Sequence, residues 1–347
     1  MKNLLGFSAA GEVTGESILF RRGEPGMLLC APERILRVYS PLTGEVFTPG
    51  RDYEWEPGRR TVFRPAGSRM PEAEWVMTPP GTPGVVVYPE KNCTVMPRGR
   101  NGMLIRLGPA DWYASHRVEV DYLTREELPS LPEPLRRPER FIAKLRRRET
   151  VVVSVVGDSI TVGWNSTAVV KCPPFSPPYI EQAVADLRES FGGEIVLRNH
   201  AISGTGTAKA MELRDQWGAD HADLLVVAYG MNDLSSRKPA EYARMIAEII
   251  QAKKALDPES EILLVASMPR NPDWEPELYI PHGEYAGVLH GIAATREDTS
   301  VADVHALWCA IQARKSYYDL TGNGVNHAND YGHRIYAAAV RNCFPEK

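Results

Sequence analysis

Long apolar runs are missing from this chain of 347 residues, and no stretch approaches the roughly 20 consecutive apolar residues that a bilayer-crossing helix needs. The N-terminal MKNLLGFSAAGEV lacks the sustained apolar core of a secretory signal, so the cytoplasm is the expected compartment. Cysteine is scarce. Cys30, Cys93, Cys172, Cys309 and Cys343 stand singly, without the short paired spacing of a zinc site or a disulfide framework, and read as reduced packing residues. There is no HExxH, no EF-hand loop and no internal repeat. Positive charge is not in excess either: 40 Lys and Arg against 44 Asp and Glu give a formal net charge of -4. That balance speaks against nucleic acid as a partner, which calls for a basic face or stripe. Neither a metal nor a cofactor is called for, no membrane is expected as a partner, and a homo-oligomer stays open.

What is present is a globular composition, 43% hydrophobic and 24% charged. The length exceeds what one compact core usually reaches, which predicts two domains. Residues 1–127 are punctuated by Gly and Pro and carry short β-type segments at 35–39, 52–55, 61–63, 84–88 and 103–105. In His116 to Tyr122 one face carries His, Val, Val and Tyr and the other Arg, Glu and Asp, the alternation of a half-buried antiparallel strand. These residues read as a small β-sandwich-like accessory domain. Residues 128–149, opening LPSLPEP, read as a proline-rich linker, because each proline removes a donor and restricts its predecessor.

From residue 150 to 347 the pattern turns to strands alternating with helices. Strands are expected at 151–156, 195–197, 224–228, 262–266 and 300–304, and helices at 179–191, 207–217, 239–256, 285–295 and 331–343. Such alternation implies a mainly parallel sheet covered on both faces, with ligands outside the carboxyl ends of the strands. Polar blocks stand at those ends. Gly157-Asp158-Ser159 follows a valine run, and Asn199-His200-Ala201-Ile202-Ser203-Gly204-Thr205 follows the second strand. Gly230-Met231-Asn232-Asp233 follows the third, and Asn326-His327-Ala328-Asn329-Asp330 lies near the C-terminus. The glycine-rich SGTGTAK run lacks the GxxxxGK[ST] spacing of a phosphate loop.

The blocks VVGDSI, NHAISGTG, YGMND and NHANDYGH, in that order, resemble those of the SGNH hydrolases, or GDSL-type esterases, over about residues 150 to 343. The two-part organisation is also similar to carbohydrate esterases with an N-terminal β domain. The resemblance implies an SGNH/flavodoxin-like three-layer α/β/α domain and a serine esterase acting on short acyl esters, acetyl above all, of a carbohydrate or small polar molecule. Thioesterase or lysophospholipase-type chemistry, or a non-catalytic glycan-binding role, are the alternatives. Ester hydrolysis needs a nucleophile, a base and donors for the oxyanion. Ser159 is the expected nucleophile and His327 the expected base. The backbone N–H groups of Ser159 and Gly204 and the side-chain amide of Asn232 are the expected oxyanion hole.

One departure stands out. The family usually places an aspartate three residues before the catalytic histidine, and position 324 here is glycine. Asp319 is the expected acid, if Leu320 to Asn323 form an inserted loop. A register with Asp330 and His333 satisfies the same spacing, and a backbone carbonyl serving a Ser-His dyad is the third option. Asp158 and Asp233 read as residues that tie down their turns. The segments Thr167 to Pro178, with Phe175, and Pro269 to Gly283, with Trp274 and Tyr279, are expected either to wall the pocket or to brace their own loops.

Overall fold

A computed structural model of the chain describes residues 4–8, 11–127, 129–218, 221–235, 237–275 and 281–345. Five parallel strands form the central sheet, in the order Ile195–Asn199, Val151–Gly157, Leu224–Ala228, Glu261–Ala266, Thr299–Asp303. This is the flavodoxin-like 2-1-3-4-5 order. The strand of the valine run lies between the second and third strands of the sheet in chain order, so the direction of winding reverses beside it. The loops leaving Val151–Gly157 and Leu224–Ala228 therefore diverge from a crevice at their carboxyl ends.

The sheet is buried on both faces, and the period of two sorts its side chains. Val151, Val153, Val155, Leu224, Val226, Leu263 and Val265 join one core, with Tyr179–Phe191 and Asp330–Asn342 as its main helices. Val156, Leu225, Val227, Ile262 and Leu264 join the other, under Pro239–Leu256 and His282–Ala294. Near-continuous apolar strands are what such double burial demands. The expected helix over 207–217 is two pieces, Thr207–Glu212 and Arg214–Trp217, broken at Leu213. Among the described residues, no helix is long and apolar enough to cross a membrane.

The N-terminal part is built from antiparallel strands in three small sheets. The principal one has the order Glu12–Leu19, Arg117–Leu123, Arg34–Tyr39. Its apolar residues Val13, Ile18, Val38, Val118, Val120 and Tyr122 belong to the same continuous core as the helix Asp330–Asn342. Within 128–149, Glu139–Arg146 is a helix that buries Phe141, Ile142 and Leu145 in that core. Spacing of three and four between these apolar residues gives it one buried face.

Charged groups cross the junction at full burial. The Lys315 side chain is 0% exposed and its Nζ lies 2.7 Å from Glu16 Oε1, whose side chain is also 0% exposed, while donating to the Met27 carbonyl at 2.7 Å. Glu16 in turn accepts from the Leu29 N–H at 2.7 Å and the Tyr122 hydroxyl at 2.6 Å. Arg117, placed outward by the sequence alternation, is instead buried because its guanidinium reaches Asp330 at 2.7 Å. Removing one partner of such a pair leaves a charge stranded without water. Lys315→Met is expected to cost about 3–5 kcal/mol in urea denaturation, and the double variant Glu16→Gln/Lys315→Met is expected to recover only part of that loss, because buried Asp319, 3.7 Å from Lys315 Nζ, still loses its cation.

Candidate active site

The valine-rich strand ends at Gly157, and Asp158 caps a short helix by accepting from the Ile160 N–H at 3.0 Å. Ser159 is the first residue of that helix, where backbone N–H groups have no partner within the helix. Burial pushes the Asp158 carboxyl up to about 7 against the pull of the Ile160 N–H, and the nearby Asp233 charge adds to it. Asp233 accepts from the Thr207 N–H at 3.0 Å and its hydroxyl at 2.6 Å. Both aspartates thus fasten turns, as their positions suggested.

Ser159 Oγ lies 2.8 Å from His327 Nε2. The imidazole is carried on the loop 322–327, which is closed at its neck by the Gly322 N–H donating to the His327 carbonyl at 2.9 Å and by a bridge between Thr321 and Ala328. The His327 pKa is pushed down to about 4, chiefly by burial, with the charge of His333 adding. His333 itself is 0% exposed, stacks on Tyr179 with the rings 11° from parallel, and faces the Trp164 carbonyl. It is a packing residue. Of the two histidines, the structure brings His327 to the serine.

Gly204 adopts φ +75°, and the space where its Cβ would lie is open. Glycine takes this left-handed conformation with the least strain. The Asn232 amide donates to the Thr205 carbonyl at 2.8 Å, holding the third strand's loop against the second's. Gly204 and Asn232 border one cavity of about 330 Å³, together with Lys209, Glu212 and Arg237.

Asp319 is not at the imidazole. It lies in the short helix Tyr317–Leu320, outside the closed loop, and its carboxylate accepts from the Leu19 N–H at 2.8 Å with Lys315 Nζ at 3.7 Å. Burial raises its pKa, and Lys315 opposes that. The helix turns this side chain toward the N-terminal strand, so its work is to join the two halves of the molecule. Asp330 does not bond a histidine either, its bonds going to Arg117 and to the N–H and hydroxyl of Thr167 at 2.8 and 2.9 Å. Among the described residues no carboxylate bonds the His327 ring.

Two asparagines meet its Nδ1 instead. Asn165 Oδ1 lies at 3.1 Å and Asn323 Nδ2 also at 3.1 Å. Neither was singled out from the sequence, where WNS and TGNG look like ordinary loop residues. Trp164 was missed as well: its ring lies 26° from parallel to His327 with centroids 6.4 Å apart, and it is 41% exposed. Its indole N–H bonds the Ser203 hydroxyl, which ties the loop after the nucleophile to the glycine loop. Trp274 braces the N-terminal part, donating to the Pro97 carbonyl at 3.1 Å. Phe175 is exposed, on a loop held by the Ser176 N–H to Thr167 Oγ1, and Tyr279 lies outside the described residues.

The structure also accounts for the missing aspartate. Gly324 adopts φ +64°, and a Cβ there would overlap the Tyr113 hydroxyl and stand 2.8 Å from the Arg106 carbonyl oxygen. Both belong to the N-terminal part, and Tyr113 Oη donates to that same carbonyl at 2.9 Å. Gly324→Asp is therefore expected to lower stability by about 1–3 kcal/mol through overpacking, without raising ester hydrolysis. A thermal melt and an ester assay on the same sample check both outcomes.

The sequence pattern described as the GDSL-like Lipase/Acylhydrolase family matches residues 155–335. Among solved structures, a member of the lipolytic protein G-D-S-L family from Veillonella parvula DSM 2008 is 18% identical, with 55% of this chain and 95% of that one covered and a TM-score of 0.44. A two-domain esterase (CEX) active on acetylated mannans is 14% identical, with 59% of this chain and 51% of that one covered and a TM-score of 0.47. Axe2, an acetylxylan esterase from Geobacillus stearothermophilus, is 18% identical, with 56% and 94% covered and a TM-score of 0.44. No curated protein sequence matches the chain. With the family pattern running over more than half of its length, from the nucleophile strand into the last helix, the chain belongs to the GDSL-like lipase/acylhydrolase family and is an SGNH-type ester hydrolase.

Proposed function

We propose that the chain removes short acyl groups, acetyl above all, from hydroxyls of a carbohydrate or similar polar molecule through an acyl-serine intermediate. The observation that carries the hydrolytic step is the 2.8 Å contact between Ser159 Oγ and His327 Nε2. Nε2 takes the hydroxyl proton as Oγ bonds to the ester carbonyl carbon. The oxyanion is met by the N–H groups of Ser159 and Gly204 and by the Asn232 amide. When the C–O bond to the alcohol breaks, the proton returns from Nε2 to the leaving oxygen. Water then repeats the sequence on the acyl-serine and releases the acid.

The short-acyl, polar-alcohol reading draws support from the cavity beside the expected oxyanion donors and from Trp164. The cavity beside Gly204 and Asn232 is bordered by the charged side chains of Lys209, Glu212, Asp233 and Arg237, which suit a polar substrate. The exposed face of Trp164, next to the base, is a flat apolar surface of the kind on which a sugar ring can stack.

A serine-directed phosphonate, mapped by mass spectrometry, is expected to label Ser159 in the wild type and nothing in Ser159→Ala; an unlabelled wild type refutes the hydrolytic reading. Acetyl p-nitrophenyl ester is expected to be cleaved faster than octanoyl, and the reverse order would favour the lysophospholipase alternative. Asn232→Ala is expected to lower kcat by about 10²–10³.

The pH dependence follows from the depressed base. Only neutral His327 can accept a proton, so kcat/KM is expected to fall with a midpoint near 4 and not near the ordinary histidine value of about 6.5. Stability changes over the same range. His327 and His333 both resist protonation in the fold, so the unfolded chain binds more protons below its own histidine pKa, and stability declines as pH falls from about 6.5 toward the folded values. Far-UV circular dichroism at each pH separates loss of base from loss of fold.

A further inference from the structure

The two asparagines at Nδ1 of His327 have opposite polarity, and their neighbours fix which atom each presents. Asn165 Nδ2 donates to the Gly322 carbonyl at 2.8 Å, which turns Oδ1, an acceptor, to the ring. Asn323 Oδ1 accepts from the N–H groups of Val325, Asn326 and His327, each at 3.0 Å, which turns Nδ2, a donor, to the ring. Asn323 Nδ2 also donates to Asn326 Oδ1 at 3.0 Å. A neutral imidazole carries one proton. On Nδ1 it is accepted by Asn165, and Nε2 is left bare toward Ser159. On Nε2 it leaves Nδ1 to accept from Asn323, and the serine then faces a donor.

We propose that Asn165 is the positioning residue of this site: by accepting from Nδ1–H it selects the tautomer able to take the Ser159 proton, against Asn323, whose amide selects the other. This rests on the Ser159–His327 hydrolase reading and adds what replaces the acid. Asn165 is suited to the place. It sits at φ +66°, a left-handed conformation that asparagine tolerates better than most residues, and it is 8% exposed. Because both partners are neutral, no charge bonded to the ring stabilises its cation. The titratable groups around it are committed elsewhere or positive: His333 adds a like charge, Asp330 is held by Arg117 and Thr167, and Asp319 by Leu19 and Lys315. A carboxylate at either asparagine would change that, since an opposite charge at this distance favours the charged ring.

Four variants and one spectroscopic readout test this. Asn165→Gly keeps the left-handed backbone and removes the acceptor; kcat is expected to fall about 100-fold, within what a general base contributes, with KM little changed. Asn165→Asp keeps the acceptor and adds charge, and the acid limb of kcat/KM is expected to move up by about one to three pH units. Asn323→Asp keeps an oxygen for the three N–H groups and turns the second toward Nδ1, moving the limb the same way. Asn165→Gly/Asn323→Asp is expected to regain most of the lost kcat, because the acceptor now comes from the other side. The ¹⁵N shifts of the His327 ring, assigned against His327→Gln, report the tautomer without turnover. Nδ1–H in the wild type and its loss in Asn165→Gly are expected. Nε2–H in the wild type, or an unchanged kcat and tautomer in Asn165→Gly, overturns the proposal. If Nδ1–H is found but phosphonate labelling and turnover are absent, the hydrolase reading fails and the tautomer assignment stands.

Discussion

The Asp330 carboxylate joins three parts of the molecule: its own helix, the loop of Thr167 and the N-terminal strand of Arg117. One oxygen accepts from the Thr167 N–H, and the other accepts from the Thr167 hydroxyl and from Arg117 of the N-terminal sheet. Thr167 lies two residues beyond Asn165, and Asp330 three beyond His327. The contact between amide and imidazole therefore depends on this buried ion cluster holding two loops in register. Groups that must sit within a few tenths of an ångström of each other are best placed by neighbours that cannot move, and a desolvated carboxylate with three donors is such a neighbour.

The same cluster explains why residues 1–127 matter to the chemistry. Arg117 neutralises Asp330 from the N-terminal strand, and Tyr113 with Arg106 fills the place where a side chain at 324 would project. Val325, two residues before the base, is buried among Leu19, Ile105, Tyr113 and Tyr318. The loop that carries the imidazole is thus roofed by the N-terminal part. A carboxylate three residues before the base would require that roof to open. Neutral partners at Nδ1 fit beneath it, and their lack of charge agrees with the downward displacement of the His327 pKa.

The central sheet was legible in the sequence because doubly buried parallel strands read as unbroken β-branched runs, of which VVVSVV is the plainest. The strand Glu12–Leu19 was not. Its Glu16 and Ser17 are polar and fully buried, and their partners Lys315 and Asn329 lie about 300 positions away. Arg117 was misplaced for the same reason, since alternation puts an arginine outside unless a remote aspartate draws it in. Ser159 and His327 could be picked out because strand ends and block order mark them. Asn165 could not, because a loop asparagine acquires meaning only through the His327 contact, 162 positions away along the chain. Asp319 drew attention as the nearest upstream carboxylate, but nearness in sequence says nothing about which side of a four-residue helix the group faces.

An amide in place of a carboxylate shifts the balance between orientation and electrostatics. A buried carboxylate next to His327 would stabilise the imidazolium, but it would also have to be desolvated under the N-terminal roof, beside the aspartates at 319 and 330 that already draw on Lys315 and Arg117. A third buried negative charge without its own cation costs several kcal/mol in such surroundings. Asparagine supplies the direction of the bond without that penalty, at the expense of a weaker base. Acyl transfer through a serine tolerates a weak base if the oxyanion is well met, because stabilising that charge is usually the larger contribution. The loops of Gly204 and Asn232 are both tied, the first through Ser203 to Trp164 and the second through Thr205. Trp164 and Asn165 are adjacent in the chain. One tie thus runs from the His327 ring to the glycine loop through a single dipeptide, so that the orientation of the imidazole and the position of that loop are set together.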